Sequence, residues 1–202
     1  MFITFEGIDF AGKSTQIKKL METLDSLGKS YLYIREPGGL ELCEAIRETI
    51  LNNKYQSMSP ETELLLYAAS RAQLVREKIK PALNQYDYII GDRFYDSTTV
   101  YQGFGRQLNI EFIKELNHFA TDGLSPDKTF YIDISVEESF ERRKNAGRAE
   151  DRIELSGQAF FQRVREGYLE LAKAEKRIVC LQGINEVNDI HLEILETLKL
   201  IE

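Results

Sequence analysis

The 202 residues carry 33 acidic against 26 basic side chains, for a formal net charge of -7 and a pI near 5.1. That balance excludes a dedicated nucleic-acid binder, which needs a basic face, but allows a local nest of arginines around a small anion. The length suits one well-packed domain over residues 1–202, and the two cysteines, Cys43 and Cys180, lie too far apart for a zinc or disulfide framework.

Short apolar runs alternate with longer helical patterns along the whole chain, which is the signature of successive βαβ units and predicts an α/β fold with a five-stranded parallel sheet. Strands are expected at Phe2 to Phe5, Tyr31 to Ile34, Tyr88 to Gly91, Thr129 to Ile134 and Ile178 to Leu181. Most are too apolar to be half-exposed, so helices should cover both faces of the sheet in three layers. After the first strand, "KSTQIKKLMETLDSLG" sets Ile17, Leu20, Leu24 and Leu27 at helical spacing and stops at Gly28. Ser59 before Pro60 opens another helix that runs toward Pro81. Ser135 with Glu138 forms a capping box, and Phe160, Phe161, Val164, Tyr168 and Leu171 make the apolar stripe of a later helix. The segment "RRKNAGRAEDRIE" is rich in arginine and poor in apolar residues, so it is not expected in the core. No apolar window reaches the length of a membrane span and "MFITFEG" carries no export pattern; a cytoplasmic protein without membrane attachment is expected.

Gly7 to Ser14, "GIDFAGKS", fits G-x-x-x-x-G-K-[ST]. A chain of this length meets that pattern by chance roughly once in a hundred. Context therefore decides: the match follows an apolar strand and precedes an amphipathic helix, where backbone N–H groups converge on phosphate oxygens at a helix N-terminus. Gly7, Ile8, Asp9, Phe10, Ala11, Gly12, Lys13, Ser14 and Thr15 are thus the expected ATP cradle of a P-loop NTPase-like fold. Lys13 would reach the β- and γ-phosphates, and the Ser14 hydroxyl would hold Mg²⁺. Asp92, at the end of the third strand, is placed to bind magnesium through water, and Arg93 to fork onto a phosphate; a structural ion pair between acid and base is the alternative. Arg142, Arg143, Arg148 and Arg152 are either a solvated basic loop or the cations of a lid over about 142–156, closing over the transferring group and excluding water.

Four blocks in order resemble bacterial thymidylate kinases, P-loop nucleoside monophosphate kinases: "FEGIDFAGKSTQ", "REPGG" at Arg35 to Gly39, "DRFYDSTTVYQG" at Asp92 to Gly103 and "EDRIE" at Glu150 to Glu154. The resemblance covers nearly the whole chain and implies transfer of the γ-phosphoryl of ATP to dTMP, with Mg²⁺ as cofactor, in a homodimer. It implies that Asp9 approaches the sugar 3′-hydroxyl or the metal, that Arg93 with Arg35 and its loop, Glu36 included, holds the acceptor phosphate while Pro37 shapes that loop, and that Gln102 lies in the substrate region. Thr98 would read the thymine edge and Tyr101 would crowd the sugar 2′ position. Tyr67 lies four residues before Arg71 on one helix face, so its ring can stack on a pyrimidine while the guanidinium donates to a base carbonyl. Tyr67 and Tyr101 can equally be core aromatics.

Phe10 departs from the resemblance, since some members place an arginine there and many bacterial members a glycine. The catalytic cations beside Lys13 and Arg93 are therefore expected in the lid, at Arg148 and Arg152. No general base is required, because a phosphate monoester oxygen is already anionic. A deoxynucleoside kinase shares the acid-arginine pattern after the third strand; a GTPase switch would need an N-K-x-D motif, which is absent from the sequence.

Overall fold

The computed structural model of the chain describes residues 1–147 and 149–201. Five strands, β1 (Phe2–Glu6), β2 (Tyr31–Arg35), β3 (Tyr88–Asp92), β4 (Lys128–Asp133) and β5 (Ile178–Gln182), form one parallel sheet in the order β2-β3-β1-β4-β5. The three inner strands are buried almost throughout, as their apolar runs require. The edge strand β2 is only partly covered, with Tyr33 39% exposed.

Alternation along β1 sends Phe2 into a core with Ile34, Ile89 and Phe94 on one face, and Ile3 and Phe5 into a core with Leu20, Leu24 and Phe130 on the other. The helices are α1 (Lys13–Ser26), α2 (Glu41–Leu51), α3 (Pro60–Leu74), the short α4 (Lys80–Ala82) and α5 (Tyr95–Thr98), then α6 (Ile110–Thr121), α7 (Val136–Ala146), α8 (Gln158–Ala174) and α9 (Val187–Thr197). A π-helical turn, Val75–Ile79, joins α3 to α4 and carries the helix into Pro81. Gly28 ends α1 at φ 64°, and Lys29 N–H closes the turn on Leu24 O at 2.9 Å.

Two local expectations change. Ser135 Oγ caps α7 by accepting from Glu138 N–H at 3.1 Å, but the Glu138 carboxylate pairs with Arg142 at 2.6 Å instead of completing the box. The arginine-rich segment is partly core: Arg143, Arg152, Ile153 and Glu154 are all buried. Arginine stems pack well against apolar surface once the head group has partners, and here these are Glu150 and the rings of Phe140 and Phe161 for Arg143, and Glu63 for Arg152.

Candidate active site

The sheet order puts the carboxyl ends of β1, β2 and β3 side by side, with Phe5 opposite Asp92 and Arg35 opposite Asp92 in register. Open α/β sheets bind ligands at such ends. β1 runs into the phosphate loop, which turns at Gly7 with φ 141°; a Cβ there would lie 2.6 Å from Ile132 O, so only glycine fits. Ile8 and Ala11 are buried anchors of the loop, and Gly12, at φ 103°, leads into α1. The loop is tied down from α7, where Ser139 Oγ donates to Asp9 O at 2.7 Å and Arg142 Nη1 to Phe10 O at 3.3 Å.

Lys13 lies almost wholly buried at the start of α1, its ammonium donating to Gly7 O and Ile8 O, each at 3.0 Å. Burial first, and the nearby Arg93 second, push its pKa down to about 8. Lys13, Ser14, Thr15, Gly12, Phe10, Asp9, Arg35, Glu36, Arg47, Asp92 and Arg93 line one cleft of about 410 Å³, within the range of small-molecule sites of about 300–1,000 Å³. A hydroxyl, Ser14, and a carboxylate, Asp92, are the donor set that suits magnesium, which takes few protein ligands and completes its shell with waters and phosphate oxygens.

The cleft continues inward to a pocket that shares Asp9, Glu36, Arg47 and Arg93 with it and adds Pro37, Tyr67, Arg71, Ser97, Thr98, Tyr101, Gln102 and Asp151. Arg71 is 1% exposed and held on three sides: Nε donates to Glu36 Oε2 at 2.8 Å, Nη1 to Asn117 Oδ1 at 3.0 Å and Nη2 to Thr98 Oγ1 at 2.9 Å. Burial raises the Glu36 pKa, and Arg71 opposes that rise. Arg93 sits at φ 71°, in the left-handed region that costs a bulky side chain energy, and its guanidinium bridges the two compartments. Nη2 donates to Asp9 Oδ1 at 2.8 Å, and the guanidinium carbon lies 5.1 Å from the centre of the Tyr101 ring. Burial would raise the Asp9 pKa, but Arg93 and Lys13 outweigh it and hold the carboxyl below its ordinary value.

Most residues expected from the sequence therefore meet in one double cleft. Tyr67 and Tyr101 both line it, and Tyr101 is at the same time a buried core ring, packed edge-on against Phe160 and Phe161. Gln102 reaches it too, although its amide donates to Glu63 Oε1 at 2.8 Å. Arg35 is at the rim, gripped by Glu44 at 2.8 and 2.9 Å. Arg152 is not brought to Lys13: its Nη2 donates to Glu63 Oε2 and its Nε to Ile50 O, both at 2.6 Å. Glu63 accepts from Arg106 as well, and these cations keep its pKa low despite burial. Arg148 lies outside the described residues.

Arg47 and Asn117 were not anticipated from the sequence; Ser97 and Asp151 fall inside the quoted blocks without a role of their own, as does Glu6 at the end of β1. Arg47 reaches the cleft from α2, donating to Pro37 O at 3.0 Å. For Glu6, a glutamate directly after the strand expected at Phe2 to Phe5 was the visible signal, since a buried carboxylate demands partners.

The family model described as thymidylate kinase matches residues 5–194. A protein of Kosmotoga olearia named thymidylate kinase is 47% identical over 197 residues, covering 97% of this chain and 94% of that relative. One from Thermoanaerobacter sp. is 48% identical over 199 residues, covering 98% and 97%. The crystal structure of thymidylate kinase from Ehrlichia chaffeensis superimposes with a TM-score of 0.79 at 34% identity, covering 98% of each chain. On matches that span nearly its full length, the chain belongs to the thymidylate kinase family.

Proposed function

We propose that the chain transfers the γ-phosphoryl group of ATP to dTMP, giving dTDP and ADP. The observation that carries this is the continuous double cleft, in which a phosphate loop and a ring-lined pocket share Asp9, Glu36, Arg47 and Arg93. In this reading the triphosphate lies along Gly7 to Thr15. Lys13 exchanges its two loop carbonyls for phosphate oxygens there. Ser14 and Asp92 would hold Mg²⁺, which would supply neutralisation of the charge on the donor phosphates. Tyr67 stacks on the thymine while Arg71, preset by Glu36, Asn117 and Thr98, donates to a ring carbonyl. Arg93 holds the acceptor phosphate, whose own oxygen is the nucleophile.

The lid is read as residues 142–156, with Arg148 and Arg152 as the cations over the transferring group. Arg152 would have to leave Glu63 to reach it. A homodimer is part of the proposal: Leu65 on α3 and Phe112 and Phe119 on the adjoining α6 are large exposed apolar side chains. The reaction is tested by steady-state assays with ATP across dTMP, dUMP, dCMP, dGMP and thymidine. dTMP should be strongly preferred; preference for unphosphorylated thymidine would refute the reading.

A further inference from the structure

Behind Arg93 lies a buried polar cluster to which no step above gives a task. Glu6, at the end of β1, has no exposed surface and forms no ion pair within 4 Å among the described residues. Its Oε1 accepts from Phe94 N–H at 2.7 Å; its Oε2 accepts from Ser97 Oγ at 2.5 Å and from the Tyr168 hydroxyl at 2.7 Å. The same two hydroxyl oxygens receive Arg93 Nη1, at 3.1 Å from Ser97 and 3.4 Å from Tyr168. The Tyr168 ring is itself fixed by stacking on Tyr131, with ring centres 4.7 Å apart.

Each hydroxyl has one proton, and a guanidinium can only donate. If Ser97 and Tyr168 accept from Arg93, their protons must point away from it; the two oxygens lie 3.0 Å apart and either can donate to the other, but Glu6 Oε2, at 2.5 and 2.7 Å, is the nearer acceptor for both. A carboxylate with both oxygens accepting satisfies all three donors at once. A neutral carboxyl or an amide brings a proton of its own, which competes with one of them and turns a hydroxyl proton toward Arg93 or toward the other hydroxyl. The wiring therefore depends on charge as well as shape.

We propose that Glu6 is a positioning residue for Arg93: its carboxylate polarises Ser97 and Tyr168 so that both oxygens hold the guanidinium, opposite Asp9, in the orientation that receives the acceptor phosphate. This rests on the reading of Arg93 as the phosphate ligand of the acceptor. Asp9 holds Nη2 from the loop side while the hydroxyl pair holds Nη1 from the α5 and α8 side, so the fork has little freedom left. That arrangement also holds Arg93 at its positive φ, the kind of local strain that persists only when several contacts overdetermine it.

The test compares dTMP with thymidine, which differ by the phosphate alone. Calorimetric titration of the full chain at pH 8 should show that E6Q weakens dTMP binding about tenfold or more, the scale of a hydrogen bond to a charged group, and thymidine binding less than twofold. Y168F and S97A each remove one acceptor and should lower the dTMP-to-thymidine affinity ratio by about threefold, which keeps the test alive if E6Q does not fold. In an R93A background, E6Q should no longer change the ratio. Equal loss of both ligands in E6Q, with unchanged ratios in Y168F and S97A, would mean a structural role and overturn the proposal while leaving Arg93 as phosphate ligand. An unchanged ratio in R93A itself would instead overturn the reading of Arg93.

Discussion

Replacing Glu6 by glutamine should change how stability depends on pH, and the size of the effect follows from the burial of that carboxyl. Burial first and the neighbouring Asp96 second raise its pKa from 4.5 to about 7, against the lowering influence of Arg93, Ser97 and Tyr168. The folded chain thus keeps the Glu6 proton to higher pH than the unfolded chain, and between these two values it binds more protons. The stabilising contribution is complete below about pH 4.5 and is lost as pH rises through 7. Between pH 5 and pH 8 the loss is roughly 2 to 3 kcal/mol, because each tenfold difference in proton affinity between the folded and unfolded chain is worth about 1.4 kcal/mol. Glutamine does not titrate. Urea unfolding of both proteins at unit intervals across this range should therefore show the wild type losing roughly that much stability relative to E6Q, while other titrations largely cancel in the difference. Parallel curves would refute the argument. A wild type that gains on E6Q as pH rises would reverse it, making the carboxylate the favoured buried form.

Arg152→Ala should lower kcat by two or more orders of magnitude if this residue is the lid cation, on the 10³ to 10⁵ scale of an arginine finger. An unchanged kcat with a lowered Tm would leave it only as the clamp on Glu63. Gly7→Ala should depress Tm and ATP affinity together, because the new Cβ would stand 2.6 Å from the Ile132 carbonyl; a variant with wild-type Tm would contradict the tight approach. ATP binding at pH 8.5 should take up protons, since phosphate charge raises a Lys13 pKa that burial and Arg93 hold near 8. Calorimetry in buffers of different ionisation enthalpy reads this directly, and no uptake would remove Lys13 from the phosphates.

What was legible in the sequence is what local physics decides. The strands are apolar runs, the loop is two glycines and a lysine between strand and helix, and Tyr67 and Arg71 line one pocket because four residues bring side chains onto one helical face. The support behind these residues was not legible, because it is assembled across the fold: Glu6 and Tyr168 are 162 positions apart, and Arg71 and Asn117 are 46 apart. Counting charges also misjudged the 142–154 segment, where Arg143, Arg152 and Glu154 are buried through partners that no local pattern reveals.

Phe10 and Arg93 show how the two kinds of information meet. Both take left-handed backbone angles, at φ 64° and 71°, one in the loop after β1 and the other just past β3, where the strands run side by side. At position 10 the side chain supplies no cation, yet the strained turn presents Phe10 O to Arg142 and so draws the start of the arginine-rich segment onto the loop. At position 93 the turn aims a guanidinium between Asp9 and the Ser97–Tyr168 pair. A carboxylate buried at the end of β1 lowers stability near neutral pH, and the same charge orders the hydroxyls that hold Arg93. The least favourable residue of that strand is thus the one that ties the phosphate loop to the residues of the inner pocket.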